Sequence, residues 1–152
     1  MSQTFDIGAM LAQLAPEEGR KTLVYDDATG LPIRKGTLVQ GNPTVGCGRN
    51  LAANGLSDSE IDLLCINDCL KFAAVLDSRI PWWRNLSPVR QRQILDLTFN
   101  MGPDELISGW PHFLAAMQAG NWQAAVNELE TSKWWHQVGQ RGPMITARIL
   151  AG

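Results

Sequence analysis

The chain changes from a helical to a strand pattern between residues 17 and 30, and this change constrains its fold more than any other feature. Glu18 stands directly before Gly19, a residue type that often follows the last turn of a helix. The run Thr22–Tyr25 comes next and is rich in strand-forming residue types. An acidic turn that contains Asp27 follows this run. The segment therefore predicts a helix that leads directly into a sheet.

Further strand signals follow at 31–34, 37–40 and 43–47, and glycine-containing turns separate them. Together with 22–26 they predict a small antiparallel sheet in a lobe of about residues 15–56. A short helix over 6–14 precedes this lobe, and Pro16 is predicted to start a separate turn.

The rest of the chain has helical patterns. Ser57 and Glu60 form a capping-box pattern that begins a connecting helix over about 57–79, which ends before Pro81. Ser87 is predicted to cap the next helix, which reaches about Met101. Shorter helices are predicted over 104–107, 111–119, 121–131 and 143–150. The apolar stripe of the connecting helix consists of Ile61, Leu64, Cys65, Phe72, Val75 and Leu76.

This order predicts an α+β fold in a single domain of residues 1–152. A small antiparallel sheet lobe is joined by the long helix to a helical lobe. The helical lobe covers about 80–152 and also includes the N-terminal helix. A cleft is expected between the two lobes.

Two carboxylates and a hydroxyl group on one small sheet indicate hydrolysis of a glycosidic bond. One carboxyl group would donate a proton to the leaving oxygen while the other activates water. Glu17 and Asp26 have the same spacing as Glu18 and Asp27, so two registers are possible. The competing interpretation is a solvated acidic turn after an ordinary helix end.

These residues resemble the phage-type lysozymes, glycoside hydrolase family 24. The family motif is a Glu directly before Gly, an acidic residue nine positions after the Glu, and a Thr in a Thr-x-Gly-x-Gly strand, which Glu18, Asp27 and Thr44 match. The glycine selects Glu18 over Glu17. The resemblance continues through 99–102, 122–135 and Arg141, and it covers nearly the whole chain. The chain departs from the family pattern in a longer segment over 31–43, in Arg49 where a His is frequent, and in a short loop over 51–57.

The resemblance implies an endolysin muramidase that hydrolyses the β-1,4 bond between N-acetylmuramic acid and N-acetylglucosamine, with inversion, for lysis of the host cell. Glu18 would be the acid, Asp27 with Thr44 would position water, and Arg141 would orient the glutamate. The substrate-binding candidates are Phe99, Asn50 and Trp110. A lytic transglycosylase and a non-catalytic glycan-binding phage structural module remain as alternatives.

Arg49 and Asp68 are predicted to form a structural ion pair. Asp68 interrupts the apolar stripe of the connecting helix, and a carboxylate that faces inward needs a partner. In the resembling family the corresponding helix position is also an Asp. The competing interpretation is two separate solvated charges.

Net charge and the absence of long apolar runs limit the classes of binding partner and the location that we expect. The formal net charge is −2, which argues against a nucleic-acid binder, so bacterial peptidoglycan is the expected partner of a monomer. No apolar run approaches the roughly 20 residues that span a bilayer, and the N-terminus lacks a signal-peptide pattern. We therefore expect the product to stay in the host cytoplasm until it is released to the cell wall.

Neither a metal nor a cofactor is implied by the sequence. The cysteines, Cys47, Cys65 and Cys69, are expected to be reduced and mostly buried, because two histidines without suitable spacing do not complete a zinc site. Trp122 and Trp134 fall on apolar faces of short helices and are expected in the core.

Overall fold

A computed structural model describes residues 6–152. Helix α1 spans Ile7–Glu18, and the Asp6 carboxylate accepts a hydrogen bond from the Ala9 amide at its start. The helix continues through Pro16, so the prediction of a separate turn at this proline was wrong. One proline removes one backbone donor, which shortens the hydrogen-bond ladder without ending the helix. The end comes at Gly19, whose φ of +72° lies in the left-handed region.

The sheet has three antiparallel strands in the order β1-β2-β3, namely β1 Lys21–Asp26, β2 Pro43–Gly46 and β3 Arg49–Asn50. Thr44 lies opposite Tyr25 on one side and Asn50 on the other. The predicted strands over 31–34 and 37–40 are absent from the described chain, where an isolated bridge between Tyr25 and Pro32 replaces them. The amides of Gln40 and Gly41 bond a side-chain carboxylate and so do not join a strand ladder.

Two helices follow the sheet, α2 over Leu51–Asn54 and α3 over Asp58–Arg79. The capping box is confirmed, since Oε2 of Glu60 accepts from the Ser57 amide at 2.7 Å and Oγ of Ser57 accepts from the Glu60 amide at 3.4 Å. The predicted stripe of α3 is only partly covered. Leu76 is buried, Phe72 and Val75 are half-buried, and Ile61, Leu64 and Cys65 are exposed.

The remaining helices pack around an apolar core. Ser87 caps α4 as predicted, and α4 packs on α9, which also contacts α7. A short helix over 133–137 was not predicted. The helices are α4 Pro88–Met101, α5 Pro103–Gly109, α6 Pro111–Gln118, α7 Trp122–Glu130, α8 Lys133–Gln137 and α9 Arg141–Ala151, after a 3-10 turn over Pro81–Asn85. The largest fully buried apolar side chains are Phe113, Leu76, Ile94, Leu97, Leu106, Met117, Leu129, Ile145 and Ile149.

The chain divides into two compact units, the first ending at Ile61 and the second spanning Asp62–Gly152. The first contains the three-stranded sheet, and the second is helical. The predicted α+β class with a lysozyme-like layout is confirmed. The grouping of residues 1–152 into one domain stays a prediction.

Two predictions about the interior need correction. The cysteines are free, but Cys47 and Cys65 are exposed and Cys69 is half-buried, so mostly buried thiols were the wrong expectation. Trp134 is buried as predicted, whereas Trp122 is only half-buried: it packs against the edge of the core, and the guanidinium of Arg90 stacks on its ring.

Candidate active site

Glu18 is the last residue of α1, and its side chain is exposed. Its carboxylate lies beside the turn that joins β2 to β3, because a Cβ built on Gly48 would be 3.8 Å from Oε2 of Glu18. Gly48 has a φ of +84°, a conformation that L side chains rarely adopt. The turn thus places a glycine without a side chain next to the predicted acid.

Asn42 donates a hydrogen bond to each carboxylate oxygen of Asp27. The Asn42 amide donates to Oδ1 at 2.6 Å, and Nδ2 of Asn42 donates to Oδ2 at 3.0 Å. The backbone amide of Asp27 donates in return to the Asn42 carbonyl at 3.1 Å. The backbone bond from Asn42, with the side-chain bond next, lowers the pKa of Asp27. The exposed carboxylate is therefore ionised and oriented, as a general base must be.

Thr44 shares the same anchor. Its side chain is 3% exposed, and Oγ1 donates to the Asn42 carbonyl at 3.2 Å. Because this bond uses the hydroxyl proton, the oxygen keeps its capacity to accept a hydrogen bond. Asn42 thus connects the two groups to which the family resemblance assigns the attacking water.

Asp26 has a different environment from its neighbour. It is 2% exposed and accepts from the amides of Ala28 at 3.0 Å, Gln40 at 2.7 Å and Gly41 at 2.9 Å. The Gln40 amide is the largest cause that lowers the pKa of Asp26. A carboxylate occupied by three backbone donors is unsuited to proton transfer. This favours the register that pairs Glu18 with Asp27.

Sequence reasoning missed the segment that holds these groups, Gln40–Asn42. The sequence of Gly41, Asn42 and Pro43 predicts only a turn between two strands. Gly41 has no space for a side chain beside Asp27. A glycine followed by an asparagine directly before the Thr-x-Gly-x-Gly strand could have indicated a close approach of this segment to the acidic turn.

Arg49 has a carboxylate partner within the first unit. Its Nη1 lies 2.7 Å from Oε1 of Glu60, and its Nε donates to the Gly55 carbonyl at 2.9 Å. The carboxylate that Arg49 contacts within the first unit is thus that of Glu60, and the pairing of Arg49 with Asp68 of the second unit stays a prediction. Asp68 is exposed on α3, so it lacks the burial that would have demanded a partner. Glu60 is already fixed by the capping box, which places its second oxygen within reach of the arginine.

In the second unit, Arg141 begins α9 and bonds Asp96 of α4. Its Nε donates to Oδ1 of Asp96 at 3.0 Å, and Nη2 bonds the same oxygen. This bond ties two core helices together. The role of Arg141 in orienting Glu18 stays a prediction.

The three predicted substrate-binding residues lie in different surroundings. Asn50 caps α2 through a bond from the Ala53 amide at 2.9 Å. Phe99 is 43% exposed and packs edge-to-face on Phe72, with ring centroids 5.8 Å apart. Trp110 lies in a groove of about 430 Å³ in the second unit, together with Met101, Glu105, Lys133, Trp134 and Gln137.

Trp134 forms one wall of this groove and is fixed from inside the unit. Its Nε1 donates to Oδ1 of Asn100 at 2.7 Å, and its ring packs edge-to-face on Trp110 with centroids 6.1 Å apart. Aromatic faces beside a carboxylate and an amine are suited to sugar rings with polar substituents.

Residues 6–152 contain neither a cluster of metal-ligand side chains nor a helix that could span a membrane. No group of three or more His, Cys, Asp or Glu side chains in this range is placed to hold a metal ion. Among the helices of the same range, none combines the length and the apolar character that crossing a bilayer requires.

No protein-family model matches the chain. Among curated proteins, it is similar to the pre-baseplate central spike protein Gp5 of Enterobacteria phage T4, with 26% identity over 161 residues. The chain is distantly related to a bacteriophage protein. The alignment covers 95% of this chain but only 28% of the spike protein, so the chain spans less than a third of that relative's length.

Proposed function

We propose that this chain is a muramidase that hydrolyses the β-1,4 bond between N-acetylmuramic acid and N-acetylglucosamine in bacterial peptidoglycan. The observation that carries the proposal is the carboxylate of Asp27, which Asn42 holds ionised and oriented while the Asn42 carbonyl accepts a hydrogen bond from the buried hydroxyl of Thr44. These bonds keep the carboxylate ionised and in one orientation, as a general base requires.

The proposed reaction uses two carboxyl groups in opposite states. Glu18, in its protonated form, gives its proton to the glycosidic oxygen as the bond from that oxygen to the anomeric carbon breaks. Asp27 takes a proton from water while the water oxygen bonds the anomeric carbon, and Thr44 accepts a hydrogen bond from the same water. The products are two shorter glycans, one of which carries a new reducing end.

Inversion at the anomeric carbon is part of the proposal. An inverting mechanism needs about 6.5–9.5 Å between the two carboxyl groups, so that water fits between Asp27 and the sugar. Proton NMR of the product immediately after cleavage should then show the α-anomer first. An initial β-anomer would indicate a retaining reaction.

Two sets of residues complete the proposed substrate contacts. Trp110 would stack on a sugar ring in its groove, and Phe99 and Asn50 would contact other parts of the glycan. Arg141 would orient Glu18 through guanidinium donors that the Asp96 bond does not use. The enzyme would act as a monomer without a metal or a cofactor.

The similarity to a phage spike protein favours a second candidate. Because the relative is named as a structural component of a phage particle, this chain would serve as a glycan-binding module of such a particle. In that case it would reach the cell wall as part of the particle. As a free endolysin, it would instead wait in the host cytoplasm for release.

Analysis of the glycan ends after incubation with purified peptidoglycan separates these functions. A muramidase leaves N-acetylmuramic acid at new reducing ends, whereas a lytic transglycosylase leaves a 1,6-anhydro end. A binding module sediments with peptidoglycan and leaves its ends unchanged. New reducing ends that are absent with Glu18→Gln would support the muramidase, and unchanged ends with the wild-type protein would exclude it.

A further inference from the structure

The loop over residues 27–42 is anchored by a buried carboxylate. Asp26 is the last residue of β1, and its oxygens bond the amides of Gln40 and Gly41, 14 and 15 residues later. A third bond from the Ala28 amide fixes the start of the same loop. Since charge-assisted bonds to backbone donors are stronger than neutral ones, this carboxylate holds both ends of the loop together.

The anchored end of the loop continues directly into Asn42. This residue makes the two bonds to the Asp27 carboxylate and accepts the bond from the Thr44 hydroxyl. Gly41, whose amide bonds Asp26 and which directly precedes Asn42, has no room for a Cβ against Asp27 and Ala28. A displacement of Gln40 and Gly41 is therefore transmitted to Asn42 with little slack.

We propose that Asp26 is a positioning residue, whose carboxylate fixes the segment Gln40–Asn42 and through it the orientation of Asp27 and Thr44. The inference rests on the proposed function for its effect on catalysis. Asp26 itself does not touch the substrate. It controls the orientation of Asp27 and Thr44 through the backbone that carries Asn42.

A charge effect and a positioning effect predict opposite changes in the pKa of Asp27. The negative charge of Asp26 raises that pKa, but the bonds from Asn42 lower it, and the backbone bond is the largest influence. Removing only the charge would thus lower the pKa of Asp27. Loosening Asn42 would raise it.

The test uses Asp26→Asn and Asp26→Glu in the full chain, with Asp6→Asn as the matched control. Asp6 also accepts a backbone amide bond in the first unit, and asparagine replaces aspartate well at a helix N-cap. Carboxyl NMR titration gives the pKa of Asp27, and amide hydrogen exchange gives the protection of Asn42. Both measurements are made without substrate.

Both Asp26 variants are expected to raise the pKa of Asp27, to speed exchange at Asn42, and to lower kcat about 10- to 100-fold with little change in KM. Asp26→Glu keeps the charge and shifts the carboxylate, so it also provides the test if Asp26→Asn does not fold. A lower or unchanged pKa of Asp27 with unchanged exchange at Asn42 would overturn the inference. If the wild-type protein cleaves no peptidoglycan while the NMR changes occur, the proposed function fails and the positioning of Asp27 stands.

Discussion

The carboxylate of Asp27 occupies the space into which a side chain at Gly41 would point. A Cβ on Gly41 would overlap Oδ1 of Asp27 and would lie 2.8 Å from both the Cβ and the backbone nitrogen of Ala28. The two Ala28 atoms are fixed to the backbone and cannot rotate away, unlike Oδ1 of Asp27. Gly41 does not have a positive φ, so backbone conformation does not require a glycine here. The close approach of Asp27 and Ala28 does.

Gly41→Ala should therefore displace the carboxylate of Asp27 or the backbone beside it. We expect a loss of about 10- to 100-fold in the rate of peptidoglycan cleavage, because small misplacements of a reacting group have effects of this size. The free energy of unfolding should fall by about 1–3 kcal/mol from overpacking. Clearing of a peptidoglycan suspension and urea denaturation measure the two effects.

Gly8→Ala is the matched control for this substitution. Gly8 lies in α1, and a Cβ there would meet Oδ1 of Asp6 at 3.4 Å, which is ordinary contact. Alanine is the better helix former by about 0.5–1 kcal/mol, so stability should be equal or slightly higher. A similar loss of activity in both variants would contradict the steric explanation.

Glu18→Gln should abolish cleavage, since the amide cannot give a proton to the leaving oxygen. General acid catalysis contributes on the order of 10²–10⁴-fold, and the loss should reach at least this range. Glu17→Gln should be nearly silent and tests the register. Circular dichroism confirms the fold of each variant, and wild-type rates for Glu18→Gln would refute the assignment of the acid.

The hydrogen bonds of Asp77 should make the stability of the second unit depend on pH in the acid range. Arg84 donates to Oδ1 at 2.7 Å and to Oδ2 at 2.9 Å, and the indole of Trp83 also donates to Oδ1 at 2.8 Å. The bonds from Arg84, as the largest cause, lower the pKa of Asp77 below its ordinary value of 3.8. The folded protein therefore binds this proton less readily than the unfolded chain does.

The contribution of Asp77 to stability is fully present above the unfolded pKa and is lost as pH falls through the lower folded pKa. Urea midpoints of the wild type and Asp77→Asn should thus differ most near neutral pH and converge below about pH 4. A difference that stays constant down to acid pH would mean that the charge of Asp77 is not what stabilises the fold.

Arg141 and Asp96 should be energetically coupled. Their side chains are 40% and 27% exposed, and the arginine makes two bonds to one carboxylate oxygen. A double-mutant cycle with Arg141→Gln and Asp96→Asn should give a coupling of up to about 1 kcal/mol in the free energy of unfolding.

The pair Arg79 and Asp104 gives the comparison for that cycle. The side chain of Asp104 is 91% exposed, so solvent screens the pair and its coupling should be near zero. Equal couplings in the two cycles would contradict the importance of partial burial at Arg141.

The sequence alone determined the features that depend on neighbours within about one helical turn. The box of Ser57 and Glu60, the cap at Ser87 and the helix end at Gly19 all formed where the pattern predicted them. Each joins groups that meet as soon as the local helix forms, so residue type and spacing suffice. The α+β class follows from the order of such elements.

The tertiary structure decided which distant groups pair. Residues 31–40 have strand-like composition, but Asp26 takes the amides of Gln40 and Gly41 because the closed loop brings them to its buried carboxylate. Arg49 bonds Glu60, which the capping box had already oriented. These choices depend on loop closure, on space and on the competition between several carboxylates. Residue spacing along the chain does not predict these factors, whereas it does predict contacts made within one helical turn.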